Sequence, residues 1–151
     1  MAAEKVVARD VIALVSDGAV SPTWIEIAGK NSLTYNPGEN EETADSTTFD
    51  DDGMYQQYIM QRGGTLELEG FLMEDPVTGV RDPGQARCDV LSAAVGLASR
   101  GAIRFRTPAS TTWRVWACTF SPGEQGGKNN DLSSFKMKMT RCGAATSAAV
   151  V

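Results

Sequence analysis

The clearest periodicity in the chain is at Thr65-Leu66-Glu67-Leu68-Glu69, where strict alternation puts the two leucines on one face of a strand and Thr65, Glu67 and Glu69 on the other. The same two-residue period recurs elsewhere. Ile25 and Ile27 oppose Trp24 and Glu26; Ile103 and Phe105 oppose Arg104 and Arg106; Phe135, Met137 and Met139 oppose Lys136, Lys138 and Thr140. TTWRVWACTF, residues 111–120, is rich in β-branched and aromatic residues and predicts a further strand. Its two tryptophans, Trp113 and Trp116, differ in parity, so one faces the core and the other an interface or a rim. Met54–Gln61 is a shorter strand candidate, closed by Gly63-Gly64.

The period changes once. Val90, Leu91, Ala94 and Leu97 have helical spacing, with Ala86 one turn earlier. Asp82 is placed to cap this helix, Pro83 suits its first turn, and Gln85 completes a D-x-x-Q capping pattern. With Gly101 as a stop, the pattern predicts a helix over about 83–100. The sum is a single domain over 1–151, mainly β: an antiparallel barrel or sandwich flanked by one helix. Residues 1–20 read as an N-terminal arm, and the small-residue stretch 144–151 as a flexible tail.

Between the strands, Asn36-Pro37-Gly38 signals a turn. The following stretch carries Glu39, Glu41, Glu42, Asp45, Asp50, Asp51 and Asp52, and no lysine or arginine lies between Lys30 and Arg62. A segment so long and polar predicts an exposed loop.

Composition narrows the function. The net charge of −5 disfavours tight binding to nucleic-acid phosphates, because an acidic surface repels them. The chain has no histidine, which removes the commonest general base and the commonest transition-metal ligand. No nucleophile elbow, dinucleotide fingerprint or phosphate-binding loop is present. Cys88, Cys118 and Cys142 are far apart and odd in number, and read as small buried apolar residues. Asp50-Asp51-Asp52-Gly53 lacks the spacing of a calcium loop. No apolar run reaches the roughly 18 residues of a membrane span, and VIALV at 11–15 is too short for a secretory signal, so the expected site of synthesis is a cytoplasm. No catalytic, cofactor or metal residue is expected. The basic strand faces at Arg104, Arg106, Arg114, Lys136 and Lys138 read as cross-strand partners of Glu67 and Glu69, or as contacts to a neighbouring subunit. A carbohydrate- or ligand-binding β module, stacking sugars on exposed tryptophans, is the alternative reading.

YNPGEN at 35–40, ADSTTFDDDG at 44–53, QRGGTLELEGF at 61–71 and RCDVLSAAVG at 87–96, taken in order, resemble the major tail (tail tube) proteins of long-tailed bacteriophages, especially actinobacterial ones. The resemblance spans roughly Thr23–Gly143. It implies a β-barrel flanked by one helix, related to type VI secretion tube proteins and contractile injection systems. It implies a virion component: six subunits form a ring, rings stack into a tube, and DNA passes through without specific binding during ejection. Other tail proteins (tape measure, terminator, baseplate or tip) are the implied partners. A long loop between early strands would reach a neighbouring subunit or ring. Glu39–Asp52 is the segment expected to do so, meeting Arg62, Arg81 or Arg100 of another copy. Glu67 and Glu69 are the expected channel-facing acids.

Overall fold

In the computed structural model the alternating segments become strands of one antiparallel sheet. Residues 2–150 are described; Met1 and Val151, the outermost residues of the expected arm and tail, lie outside the described residues. The elements are β1 (Ile12–Ser16), β2 (Trp24–Glu26), β3 (Lys30–Asn36), β4 (Glu42–Asp45), β5 (Gln57–Gln61), β6 (Thr65–Phe71), α1 (Pro83–Ala93), β7 (Arg100–Arg106), β8 (Thr112–Pro122), β9 (Ser134–Arg141) and β10 (Thr146–Ala149). Eight strands share the main sheet, in the order β2-β1-β7-β8-β9-β6-β3, with β10 added against β8; β4 and β5 pair separately.

Side-chain parity decides which face is buried. Ala13 and Val15 of β1, Leu66 and Leu68 of β6, Ile103 and Phe105 of β7, Trp116, Cys118 and Phe120 of β8, and Phe135, Met137 and Met139 of β9 all turn to one side and form a single core. Within it Phe105 meets Trp116 edge-on, ring centroids 5.2 Å apart. Such an aromatic pair adds about 0.5–1.5 kcal/mol beyond the area it buries.

Only Ile27–Gly29 separate β2 from β3, the two ends of the sheet's strand order. At 3.8 Å per residue, the two edges cannot part by more than about 15 Å there. The sheet therefore curls towards closure at this corner. Two glycines allow the crossing: a Cβ on Gly70 would sit 2.1 Å from the Gly29 carbonyl oxygen, and one on Gly84 would sit 2.3 Å from that of Glu26.

Helix α1 pins the corner. Asp82 caps it, accepting the Gln85 N–H at 3.2 Å and the Ala28 N–H at 3.3 Å. The Gln85 side chain does not close the reciprocal half of a capping box. Fully buried, it donates from Nε2 to the carbonyls of Ala28 (2.9 Å) and Phe71 (2.8 Å), and its Oε1 accepts the Met73 N–H (3.0 Å). One amide thus joins the helix, the β2–β3 corner and the end of β6.

Several expectations need correction. The helix ends at Ala93, not near 100; Gly96, at φ +67, turns the chain, and a short 3-10 segment, Gly96–Ser99, follows. Val90 and Leu97, expected in the core, are exposed; the buried face is Gly84, Gln85, Cys88 and Leu91. Gly101 lies inside β7, where Leu91 and Phe120 occupy the space its side chain would take. The expected 1–20 arm contains β1, which lies between β2 and β7. The expected flexible tail contains β10: after a break it carries on along β8 in the direction of β9, with the Cys142 N–H bonding the Ala117 carbonyl on the way.

Replacing Gln85 with leucine keeps the bulk but orphans the Met73 N–H and two carbonyls in a dry site. Each unsatisfied group costs about 1–3 kcal/mol, so Gln85→Leu is expected to lower unfolding stability by at least about 3 kcal/mol in urea titration. Gln85→Glu is expected to do no better, because a carboxylate lacks the two donors.

Candidate assembly surface

The β3–β6 pair does not stop at the sheet. Beyond the turn at 37–41 on one strand and Arg62–Gly64 on the other, β4 and β5 pair again, in register Thr43↔Ile59, Ala44↔Tyr58, Asp45↔Gln57. The result is a hairpin projecting from the body. The sequence predicts an exposed loop over Glu39–Asp52; the structure orders it into β4 and a 3-10 turn, Phe49–Asp51, at the tip. Asp51 shapes that turn, its carboxylate accepting the Thr48 N–H at 2.7 Å. Asp52, at φ 49, reverses the chain in the left-handed region that aspartate tolerates.

A two-stranded hairpin without a third layer is marginally stable in water, yet this one displays large apolar groups on both sides. Phe49 at the tip is fully exposed, at 104% relative accessibility, and Met54, Tyr55, Tyr58 and Met60 are each exposed by 65–69%. Exposed patches of this kind mark interaction surfaces.

The acids along the hairpin divide into two sets. Glu39 accepts from Asn36, Glu41 pairs with Arg62 at 3.6 Å, Asp45 accepts the Thr47 N–H, and Asp51 serves the tip turn. Hydrogen bonding by Thr47 also holds the Asp45 carboxyl below its ordinary pKa. Glu42, Asp50 and Asp52 have no side-chain partner among the described residues. Of the three arginines expected to receive these acids, Arg62 is engaged by Glu41 and Arg81 by Asp89, both within the same chain; Arg100 makes no ion pair among the described residues. No cluster of three or more metal-ligating side chains forms among the described residues.

Glu67 and Glu69 stand exposed on the outer face of β6. The register puts Lys138 directly across from Glu67 and Lys136 across from Glu69 on β9. No N–O distance there falls within 4.0 Å, so the pairs neutralise by proximity rather than by contact.

The tryptophans settle differently from a sugar-binding face. Trp116 is core; Trp113 turns to the other face and is covered. The Arg104 guanidinium lies between Trp24 and Trp113, 4.6 and 4.4 Å from their ring centroids, and Arg106 lies 4.8 Å from Trp113. Burial, followed by the neighbouring Arg106, lowers the Arg104 pKa. Arg141 approaches Trp116 at 5.8 Å. Each tryptophan ring thus already carries a cation.

At the end of the sheet opposite the α1 corner, the curl stays open. A cleft of about 410 Å³ lies between β3 and the β7–β8 turn, floored by Leu33, Tyr35, Leu66 and Phe105. Arg106 and Arg114 flank it. Arg114 shares the parity of Trp116, so it stands on the core face at the mouth, 5.4 Å from the Tyr35 ring. Arg106 donates to the Pro108 carbonyl at 2.7 Å and holds the turn beside it. Neither parity nor composition flagged this mouth. Leu33 and Tyr35, in the polar segment KNSLTYN, were the only apolar signal for it on β3.

No protein-family model and no curated protein sequence matches this chain. Solved structures do. A chain from the tail of an empty gene transfer agent particle, determined with C6 symmetry, superposes with a TM-score of 0.73 at 16% identity, covering 95% of this chain and 98% of that one. The fold is tail-tube-like. A chain from the virion of a native gene transfer agent particle gives 0.62 at 14% identity, with the same coverage. One from the baseplate of the anti-feeding prophage gives 0.53 at 14% identity, covering 99% of this chain and 98% of that one. The tail-tube-like fold thus runs through nearly the whole chain.

Two outcomes are expected of the isolated protein. Burial pushes the Cys88 thiol up to about 12 and the Cys118 thiol higher still, so iodoacetamide is expected to modify half-buried Cys142 first and the other two only on unfolding. Asp50→Asn with Asp52→Asn is expected to shift stability by less than about 0.5 kcal/mol in thermal melts, as exposed loop charges do.

Proposed function

We propose that this protein is the structural subunit of a phage tail tube, assembling as hexameric rings that stack into the conduit for DNA. The observation that carries the reading is the projecting hairpin. It exposes more apolar surface than a solitary hairpin can stabilise, on a fold whose solved counterparts come from a C6-symmetric tail, a virion and a baseplate. Burial against further copies supplies the layer it lacks. Under this reading the protein is made in a host cytoplasm, resides in the virion tail and meets other tail proteins, such as the tape measure, terminator and baseplate or tip components. It has no substrate and no cofactor; its mechanism is assembly, then conduction.

Conduction sets a charge condition on the wall. Each cationic side chain that neutralises a phosphate releases counterions and adds affinity, so a basic lumen would grip DNA at every ring. The outer face of β6 and β9 meets the condition: two glutamates oppose two lysines, with no net charge. Glu67 and Glu69 on this face are the proposed channel-lining acids.

Purified protein at high concentration is expected to form six-fold rings or tubes by negative-stain microscopy, without added metal. A species that stays monomeric at every concentration, alone and with tail partners, refutes the proposal. A map of the assembled tube is expected to show a neutral or negative lumen with Glu67 or Glu69 on it; a lumen dominated by unpaired lysine and arginine overturns the choice of face.

A further inference from the structure

Resting on the assembly reading, we infer that the hairpin tip of one copy docks in the barrel-mouth cleft of the next, with Phe49 as the anchor and Asp50 and Asp52 as its charged collar. The two surfaces complement each other in kind. The tip presents one fully exposed aromatic ring beside two carboxylates, Asp50 and Asp52, that have no side-chain partner among the described residues. The cleft presents an apolar floor, built from Leu33, Tyr35, Leu66 and Phe105, beside the Arg114 guanidinium.

Neither arginine at the mouth is paired with a carboxylate among the described residues. Arg106 is taken up by its own turn, donating to the Pro108 carbonyl and lying over Trp113, whereas the Arg114 guanidinium lies over the Tyr35 ring with no hydrogen-bond or carboxylate partner among the described residues. Tyr35 itself is more than a third exposed, although its ring packs at a tilt against both Phe105 and Trp116 with centroids 5.5 Å apart, so the aromatic layer of the core reaches the surface here. An aromatic side chain entering the cleft continues that layer. Its neighbouring carboxylates then reach the Arg114 guanidinium at the rim, whose planar donors suit carboxylate geometry. Buried aromatic anchors with a charged surround are the usual hot spots of interfaces. The occupant comes from another copy because the tip projects away from its own sheet, with Phe49 uncovered in the single chain. A head-to-tail contact of this kind propagates from copy to copy and closes into rings or extends into filaments.

The test is assembly of the full-length chain, followed by light scattering and microscopy. Phe49→Ala is expected to raise the concentration at which assembly begins by at least about tenfold, as loss of a hot-spot aromatic does. Asp50→Lys and Arg114→Glu are each expected to impair assembly, and the double variant to recover it. Impairment without recovery counts against the charge pairing. A positional readout is independent of affinity: with Cys142→Ser as background, Phe49→Cys and Thr112→Cys together are expected to give disulfide-linked oligomers under mild oxidation. Phe49→Cys paired with Val90→Cys, on the exposed face of α1, is expected to give none. If wild type assembles and Phe49→Ala and Arg114→Glu assemble equally well, the docking proposal falls while the tube reading stands. If wild type never assembles, both fall. Circular dichroism of each variant separates lost docking from lost folding.

Discussion

The architecture depends on one buried side-chain amide. An antiparallel sheet that curls must bring its two edge strands to a common corner, and a corner cannot satisfy its own backbone groups by ladder pairing. Gln85 resolves this by spending both its donors and its acceptor on main chain from two separate segments, Ala28 on one side and Phe71 and Met73 on the other. Its position is fixed by the Asp82 cap, and Gly29, Gly70 and Gly84 keep the space around it clear of side chains. Helix, corner and sheet edge are consequently one unit. The narrow buried face of α1 suffices because hydrogen bonds, and not only apolar contact, hold the helix in place.

The two ends of the domain differ in kind. At the α1 corner the buried Gln85 amide and the Asp82 cap are hydrogen-bonded to main chain. The other end is open: a mouth where the Arg114 guanidinium has no carboxylate or hydrogen-bond partner among the described residues, and a hairpin whose aromatic and aliphatic side chains are exposed. The hydrogen-bonded helix corner and the exposed apolar hairpin thus divide anchoring and display between different parts of the domain.

Legibility in the sequence followed the strength of the pattern. β6 and β9 were readable because one buried face and one charged face impose a period of two, and Leu66/Glu67 and Met137/Lys138 obey it residue by residue. β8 was readable from composition, and its tryptophans did part to opposite faces, though Trp113 is covered by arginines instead of meeting a partner. The helix was overextended because Val90 and Leu97 have helical spacing but point to solvent, while the residue that locks the helix down is a glutamine, which no hydrophobic pattern registers. β1 was concealed because a short apolar run in an apparent arm carries no alternation once both faces are covered by neighbours, and β10 because Thr146–Ala149 is small and exposed throughout. The acidic segment was correctly seen as surface. That it is a paired hairpin with an aromatic tip was not, since its order arises from local hydrogen bonds at Thr47, Thr48 and Asp51.

The place of β1 in the sheet also bears on the timing of folding. It pairs with β7, so its long-range partner is not synthesised until about two-thirds of the chain has emerged. The β4–β5 hairpin is local and needs only its own two strands, whereas the mouth requires Phe105 and Arg114 from late elements. Contacts distant in sequence form slowly, and chains fold from the N-terminal side as they are made. A nascent chain therefore carries its hairpin tip well before its mouth is complete. Under the proposed docking, two growing chains cannot pair with each other, because neither yet has a complete mouth.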